Sequence, residues 1–197
     1  MLRPVRPGDI LGAVIGEDFA SVLSAARRGN EAAFSRLWRD VNPALVRYLQ
    51  VVAGQDPEDV AAETWMSVVR GLKRFRGDEA AWRAWLFTTA RRRAVDEGRR
   101  RLRRIEVVMD DLPEAHNPVV ADPAQLVLDG LDTAAVISAI RRLPQRQAEV
   151  IMLRVVGGLP VEAVARLVGS TPGAVRVASH RGLKRLARMV VEAVVTL

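Results

Sequence analysis

The chain has 197 residues, 49% of them hydrophobic, enough for one domain or two small ones with cores of their own, which excludes disorder along the whole length. With no Cys and only two isolated histidines, His116 and His180, disulfide scaffolds, thiol nucleophiles and Cys-ligated zinc are excluded, and imidazole chemistry lacks converging partners. Thirty Lys and Arg against 23 Asp and Glu leave a formal net charge of +7, which favours an anionic partner.

Residues 1–17 contain Pro4, Pro7, Gly8, Gly12 and Gly16 and read as a loosely ordered arm, while Asp9 and Glu17 are incompatible with a secretory signal. A short helix is predicted over about Asp18–Arg28, closed by Gly29-Asn30, with Asn30 able to cap the next helix. Phe34, Leu37, Trp38, Val41, Leu45, Leu49 and Val52 then recur at helical spacing; Pro43 is expected to kink or split this segment and Gly54 to end it. Asp56-Pro57-Glu58-Asp59 reads as an N-cap, a proline at the first helical position and first-turn acids, opening a helix from about Pro57 to Lys73. The next loop carries turn chemistry in Gly77-Asp78, and Trp82, Trp85, Leu86, Thr89, Ala90 and Val95 support a third long helix to about Arg104.

Ile105 to Asp132, with Pro113, Pro118 and Pro123 and little periodicity, reads as an extended, mobile connector and sets a domain boundary. Helix resumes at Thr133–Leu143, Gln147–Val156, Pro160–Val168 and Pro172 to about Val194, punctuated by Pro144, Gly157-Gly158 and Gly169. The expected fold class is therefore all-α, two helical domains (18–104 and 133–197) joined by a flexible acidic linker (105–132), the C-terminal domain containing a helix-turn-helix. No apolar run reaches the roughly 20 residues that cross a bilayer, so no membrane insertion and a cytoplasmic location are expected.

Charge divides the chain the same way: net +7 over residues 1–104, −7 over 105–132 and +7 over 133–197. Two basic modules on an acidic connector suit two polyanion-binding surfaces. Of the cations, 28 are Arg, whose planar fork suits phosphates and base edges; a GC-rich genome that uses Arg as its default surface cation explains the same count, and composition leaves both readings open.

The most specific local pattern lies in 161–175. Ala165 is small where two helices must touch, Gly169 allows a left-handed turn, Thr171 and Pro172 open a second helix and Val175 packs it, which are the spacings of a helix-turn-helix. Thr171, Gly173, Arg176, Val177, His180, Arg181 and Lys184 then lie toward one side and can enter a major groove; a plain packed hairpin is the bland alternative. In the first module Phe75, Trp82, Trp85 and Phe87 cluster beside Arg74, Arg76, Arg83, Arg91, Arg92 and Arg93, a mixture suited to unstacked bases and their phosphates, although tryptophans at helical spacing are usually core. Trp85 is expected to be mainly core and Phe75, in the loop, better placed to meet a base. Five arginines within 99–104, Arg99 first, suit phosphates or a solvated helix end. Glu58, Asp59 and Glu63 form an acidic strip that either favours its helix N-terminus or docks a basic protein.

Taken together, these stretches resemble a family. Asp56-Pro-Glu-Asp-Val-Ala-Ala-Glu-Thr-Trp65, Phe75-Arg-Gly-Asp78 and Trp85-Leu-Phe-Thr-Thr-Ala-Arg91 with Asp96 look like domain two of a bacterial extracytoplasmic-function (ECF) RNA polymerase sigma factor. Leu143-Pro-Gln-Arg-Gln-Ala-Glu-Val150, the helix-turn-helix and Arg181-Gly-Leu-Lys-Arg-Leu186 look like domain four. The resemblance implies a non-enzymatic subunit without metal or cofactor that joins core RNA polymerase, through the clamp coiled coil of the β′ subunit and through the β subunit, and directs it to promoter DNA. Asp59 and Glu63 would dock the clamp, with Ala62 where a Gln is usual. Lys73, Arg74, Phe75, Arg76, Arg83, Arg91, Arg92 and Arg99 would engage and open the minus-10 element, with Arg92 where Asn is frequent. Thr171, Gly173, Arg176, Val177, His180, Arg181 and Lys184 would read the minus-35 element, with Val177 in place of a common Ser. An anti-sigma factor is the expected regulator.

Two other classes fit parts of the chain. A stand-alone helix-turn-helix regulator accounts for 133–197 but leaves the acidic strip and the aromatic-arginine block unused. A metal-dependent nuclease needs carboxylates clustered in a folded pocket, whereas the densest acids, Asp110, Asp111 and Glu114, fall in the proline-containing connector.

Overall fold

The computed structural model describes residues 15–53, 56–109 and 133–195, and every element among them is helical. A 3-10 turn, Gly16–Asp18, leads into α1 (Phe19–Arg27). Part of the predicted arm is held: the Ile15 and Gly16 amides both donate to the Glu79 carboxylate at 3.0 Å, while residues 1–14 lie outside the described residues. Asn30 caps α2 (Glu31–Val52) as expected, its Oδ1 accepting from the Ala33 amide at 2.8 Å. Pro43 does not split α2. It lies on the exposed side, where the Arg39 carbonyl that loses its intrahelical donor can be hydrated.

α3 (Pro57–Leu72) starts at proline, but Asp56 caps it with backbone only. At φ 56° and ψ 49° its side chain makes no capping bond, and its carbonyl accepts from the Val60 amide at 3.2 Å. α4 (Glu79–Met109) opens with Asp78 Oδ1 accepting from the Ala81 amide at 2.8 Å. It continues through 105–109, where an extended connector was expected, because Ile105-Glu106-Val107-Val108-Met109 contains no breaker before Asp110 and Pro113. The remainder of that connector, and the predicted stop at Gly54, fall outside the described residues.

The second module comprises α5 (Thr133–Arg141), α6 (Gln145–Ile151), α7 (Val161–Val168) and α8 (Pro172–Val195). The helix predicted to run to Val156 widens instead into a π turn over Met152–Val156, closed by the Gly157 amide on the Met152 carbonyl at 2.8 Å. The amide of Leu159 then bonds the Leu153 carbonyl at 3.0 Å, and Arg154 donates to the Leu159 carbonyl at 2.8 Å, so the displaced backbone groups find partners.

The first core gathers Leu37, Val41, Leu45, Leu49, Val68, Trp82 and Leu86; the second gathers Ile151, Met152, Leu153, Leu159, Val164 and Val175. Each such fully buried large side chain contributes about 1.5–3 kcal/mol. The two cores are continuous where α2 meets α5, α6 and the π turn and where α4 meets α7.

Candidate nucleic-acid interface

α7, Gly169 and α8 form the helix-turn-helix that the sequence predicts. Gly169 takes φ 63°, the left-handed conformation a side chain would resist, and the Ser170 amide closes the turn on the Ala165 carbonyl at 2.8 Å. Thr171 Oγ1 accepts from the Ala174 amide at 3.2 Å, capping α8. Ala165 and Val175 are buried between the helices. Thr171, Gly173, Arg176, Val177, His180, Arg181 and Lys184 are all exposed, so one face of α8 carries every residue assigned to the minus-35 contact. Arg176 is the exception in being partly engaged: its Nη2 lies 3.4 Å from Glu162 Oε1 on α7, with both side chains open to solvent.

The minus-10 set is dispersed by comparison. Lys73, Arg74 and Arg76 are exposed on the loop between α3 and α4, yet Arg76 turns back and donates to the carbonyls of Lys73 at 2.9 Å and Phe75 at 2.8 Å. Phe75 stacks on Trp85 with ring centres 5.0 Å apart and planes 13° apart, and both rings are half-buried. Trp85 is thus less interior than expected, whereas Trp82 and Phe87 are fully buried core. Gly77 makes the tight loop possible, since a Cβ there would sit 2.7 Å from Ala81 Cβ and 3.2 Å from the Phe75 ring. Arg92 and Arg99 are exposed on α4.

Arg83 does not belong to an exposed DNA-facing set. Its Nη2 donates to Asp40 Oδ2 at 2.8 Å inside the first module, its Nε lies 3.8 Å from Glu79, and its side chain is 7% exposed. The reason is register: position 83 falls in the inward stripe of α4 with Trp82, Leu86, Phe87 and Ala90, and Asp40 falls in that of α2 with Leu37, Val41 and Ala44. Burial raises the Asp40 carboxyl to about 6 even though Arg83 pulls the other way, and Asp40 Oδ1 is buried without a hydrogen-bond partner. Arg91 is also engaged. Its Nε donates to Glu149 Oε1 at 2.7 Å, and that bond raises the guanidinium pKa. Tyr48 donates to the same oxygen at 3.3 Å; burial first, and Glu149 second, hold its phenol well above the ordinary value.

Asp59 and Glu63 are both on the accessible side of α3, Asp59 exposed and Glu63 half-buried. Glu63 is shared with α4, 3.8 Å from Arg93 and 4.0 Å from Arg100. Beside this strip, an open groove of about 690 Å³ runs between α2 and α3, lined by Phe34, Trp38, Val46, Ala62, Met66 and Val69 among others. Trp38, Met66 and Val69 are 39%, 55% and 52% exposed on or beside this groove. Helical spacing counts Trp38 among the apolar repeats of α2, and Met66 enters none of the sequence motifs. The signal available in sequence was that α3 has apolar residues on more of its circumference than one core face needs. Among the described residues no group of three His, Cys, Asp or Glu could hold a metal ion, and no helix is long and apolar enough to cross a membrane.

The family model for Sigma-70 region 2 matches residues 33–104, and that for Sigma-70, region 4 matches residues 133–186. The ECF RNA polymerase sigma factor SigD of Mycobacterium tuberculosis is 32% identical over 184 residues, which cover 90% of this chain and 86% of SigD. BldN of Streptomyces coelicolor, also an ECF RNA polymerase sigma factor, is 32% identical over 170 residues; the match covers 85% of this chain and 64% of that longer protein. Among solved structures, RpoE of Bartonella quintana, crystallised with the anti-sigma factor NepR, superposes with a TM-score of 0.60 at 25% identity, covering 80% of this chain and 96% of that one. CnrH, solved with the cytosolic domain of CnrY, shares the fold with a TM-score of 0.57 at 22% identity, covering 89% of this chain and 99% of that one. Two helical modules matching regions 2 and 4 in that order, within an alignment spanning most of SigD, establish that the chain belongs to the ECF family of RNA polymerase sigma factors.

Proposed function

We propose that this chain binds core RNA polymerase and carries it to promoters, with α8 reading the minus-35 element in the major groove and the 73–78 loop and α4 engaging the minus-10 element. The observation that carries the reading is the exposed face of α8, on which Thr171, Gly173, Arg176, Val177, His180, Arg181 and Lys184 lie together behind a capped helix N-terminus. Arg176 and Arg181 have the planar donor set that reads guanine, and Thr171 and Lys184 suit phosphate.

At minus-10 the half-buried Phe75 and Trp85 rings, with Lys73 and Arg74 preceding them in the loop, offer a stacking platform, and the exposed Arg92 and Arg99 farther along α4 offer cations for the backbone. Binding energy gained by an unstacked base there offsets the few kcal/mol of unpairing, so melting asks for no catalytic residue from this chain. Asp59 and Glu63 dock the clamp coiled coil of the β′ subunit, and the apolar groove beside them supplies contact area that the acidic strip lacks; domain four meets the β subunit. Such a subunit works in the cytoplasm, where its polymerase is. Because RpoE is held by an anti-sigma factor, an anti-sigma factor is the proposed regulator here too.

The test is binding of the purified chain to core RNA polymerase without DNA, compared with Asp59→Ala and Asp59→Ala/Glu63→Ala. Saturable binding weakened by both changes is expected; the single change is included because Glu63 also faces Arg93. A folded chain that binds duplex DNA tightly but no polymerase would instead be a stand-alone helix-turn-helix regulator.

A further inference from the structure

Gly71 stands in the last turn of α3 on ordinary helical backbone, so its conformation does not call for glycine, and glycine is among the poorest helix formers. Space does call for it. A Cβ at 71 would lie 2.7 Å from Cζ2 and 3.1 Å from Cη2 of the Trp85 ring, well inside the roughly 3.5–4.0 Å of ordinary carbon contact. By contrast, a Cβ at Gly98, inside α4, would point into open space.

The same residue shapes the loop that follows. The Gly71 carbonyl accepts from the amides of Arg74 at 3.0 Å and Phe75 at 3.1 Å, which turns the chain off α3 and brings Phe75 onto Trp85. The Phe75 ring is then bounded by three residues. It lies flat on Trp85, with planes 13° apart, and meets the fully buried Trp82 edge-on at 5.6 Å. At its tip is Gly77, where a Cβ would come within 3.2 Å of it. Trp82 also meets Trp85 edge-on at 5.6 Å, so the indole has α3 on one side and a fixed ring on another. Through Trp85, the missing side chain at 71 sets the orientation of Phe75. A stacking platform gains from being set before its ligand arrives, because no ring then has to be ordered at the expense of binding energy.

Resting on the minus-10 reading above, we propose that Gly71 is a positioning residue for promoter opening: the missing side chain lets Trp85 lie against α3, where it holds Phe75 set to receive an unstacked base. Gly71 has no side chain to offer the base and acts through Trp85. Any side chain at 71 must push the indole aside and release Phe75, whereas the helix by itself would accept alanine there more readily than glycine. Helix propensity and promoter opening are therefore expected to respond to Gly71→Ala with opposite signs.

The test uses the full-length chain in holoenzyme with core RNA polymerase, and as probe the duplexes that the parent holoenzyme enriches from a random pool. Permanganate oxidation of unpaired thymines reads strand opening, and near-UV circular dichroism of the free chain reads the indole environment. Gly71→Ala should lose the part of the near-UV signal that Trp85→Phe also removes. It should open these duplexes about tenfold less, as loss of one base–aromatic stack would, with binding to core polymerase unchanged. In a Trp85→Phe background, where the shorter ring lacks the two crowded atoms, Gly71→Ala should have no further effect on opening. Gly98→Ala controls for added helix propensity and should open the duplexes as the parent does. Opening by Gly71→Ala equal to the parent's, or an equal loss in the Trp85→Phe background, would overturn the proposal. Should Gly71→Ala alone not fold, recovery of folding and opening on adding Trp85→Phe supports the seat, and failure of both variants overturns it. A parent holoenzyme that enriches no duplex would remove the minus-10 reading, and the role in opening with it, even where the near-UV signals show the indole displaced.

Discussion

The two regions proposed to meet DNA carry similar sequence signals, arginines at helical spacing near turns, and the structure treats them differently. At α8 all seven assigned residues are exposed, Thr171 as the N-cap and the other six on one face of the helix. In the first module the assigned arginines scatter: Arg83 is buried on Asp40, Arg76 folds back on its own loop, Arg91 is held by Glu149, and Arg92 and Arg99 remain exposed. α8 packs with one face and leaves the other to solvent, so period 3.6 separates core from surface. α4 is covered on more than one side, by the first module's own helices and by the second module, so an arginine's place in the sequence says little about where its charge goes.

The sharpest way to break this comparison is to treat Arg83 and Arg92 alike. Arg83→Ala strands Asp40 in the core and is expected to cost about 3–5 kcal/mol of unfolding free energy, as loss of one partner from a buried pair does. Arg92→Ala is expected to change stability by less than about 0.5 kcal/mol and act only on DNA. Urea unfolding of both variants decides it, and equal costs would place Arg83 outside the core. Next in size is a pH effect. The Asp40 carboxyl titrates at about 6 in the folded protein against 3.8 ordinarily, so between those values the folded state binds more protons than the unfolded. Its contribution is fully present below pH 4 and is lost as pH rises through 6. Asp40→Asn should therefore remove at most about 3 kcal/mol of pH-dependent difference from the wild-type unfolding curve across that interval. Parallel pH profiles of the two proteins would contradict the burial of that carboxyl.

The all-α fold, the order of elements and the helix-turn-helix were legible because capping residues, Gly169 and strict apolar periodicity are local signals. Asn30 and Thr171 cap as their positions foretell. Of the two outcomes expected of Pro43, splitting does not occur, because that cost depends on whether the helix face it occupies is wet, which the local sequence does not state. The Asp40–Arg83 pair could have been found: each is an isolated charge of opposite sign inside an otherwise apolar stripe. The Glu149–Arg91 clasp could not, since residues 58 apart on different modules meet only through the packing of whole domains.

Smaller effects sharpen the picture on the better-ordered side. Arg176→Ala is expected to relax discrimination at one base pair by about 1–3 kcal/mol if its guanidinium reads a base, and to weaken all duplexes alike with a shallower salt dependence if it meets phosphate. Binding to a panel of single-base variants at several salt concentrations separates the two, and neither outcome should move stability much, because the pair with Glu162 is exposed.

The smallest expected effect tests whether the start of α8 serves the fold or the DNA. Thr171→Ala removes the oxygen that accepts from the Ala174 amide and should cost about 1 kcal/mol of stability, as Asn30→Ala should at α2. Only the change at 171 lies on the face proposed to meet DNA. Thr171→Asp restores a capping acceptor and suits the helix dipole, so stability should return, yet it sets a carboxylate where a phosphate would approach. Recovered stability with weakened duplex binding would mean that Thr171 caps the helix and leaves its N-terminus open to an anion. Weakened binding in Thr171→Ala with stability intact would make the hydroxyl a direct contact and the cap incidental, and the contrast between α8 and α4 would then rest on the exposed arginines alone.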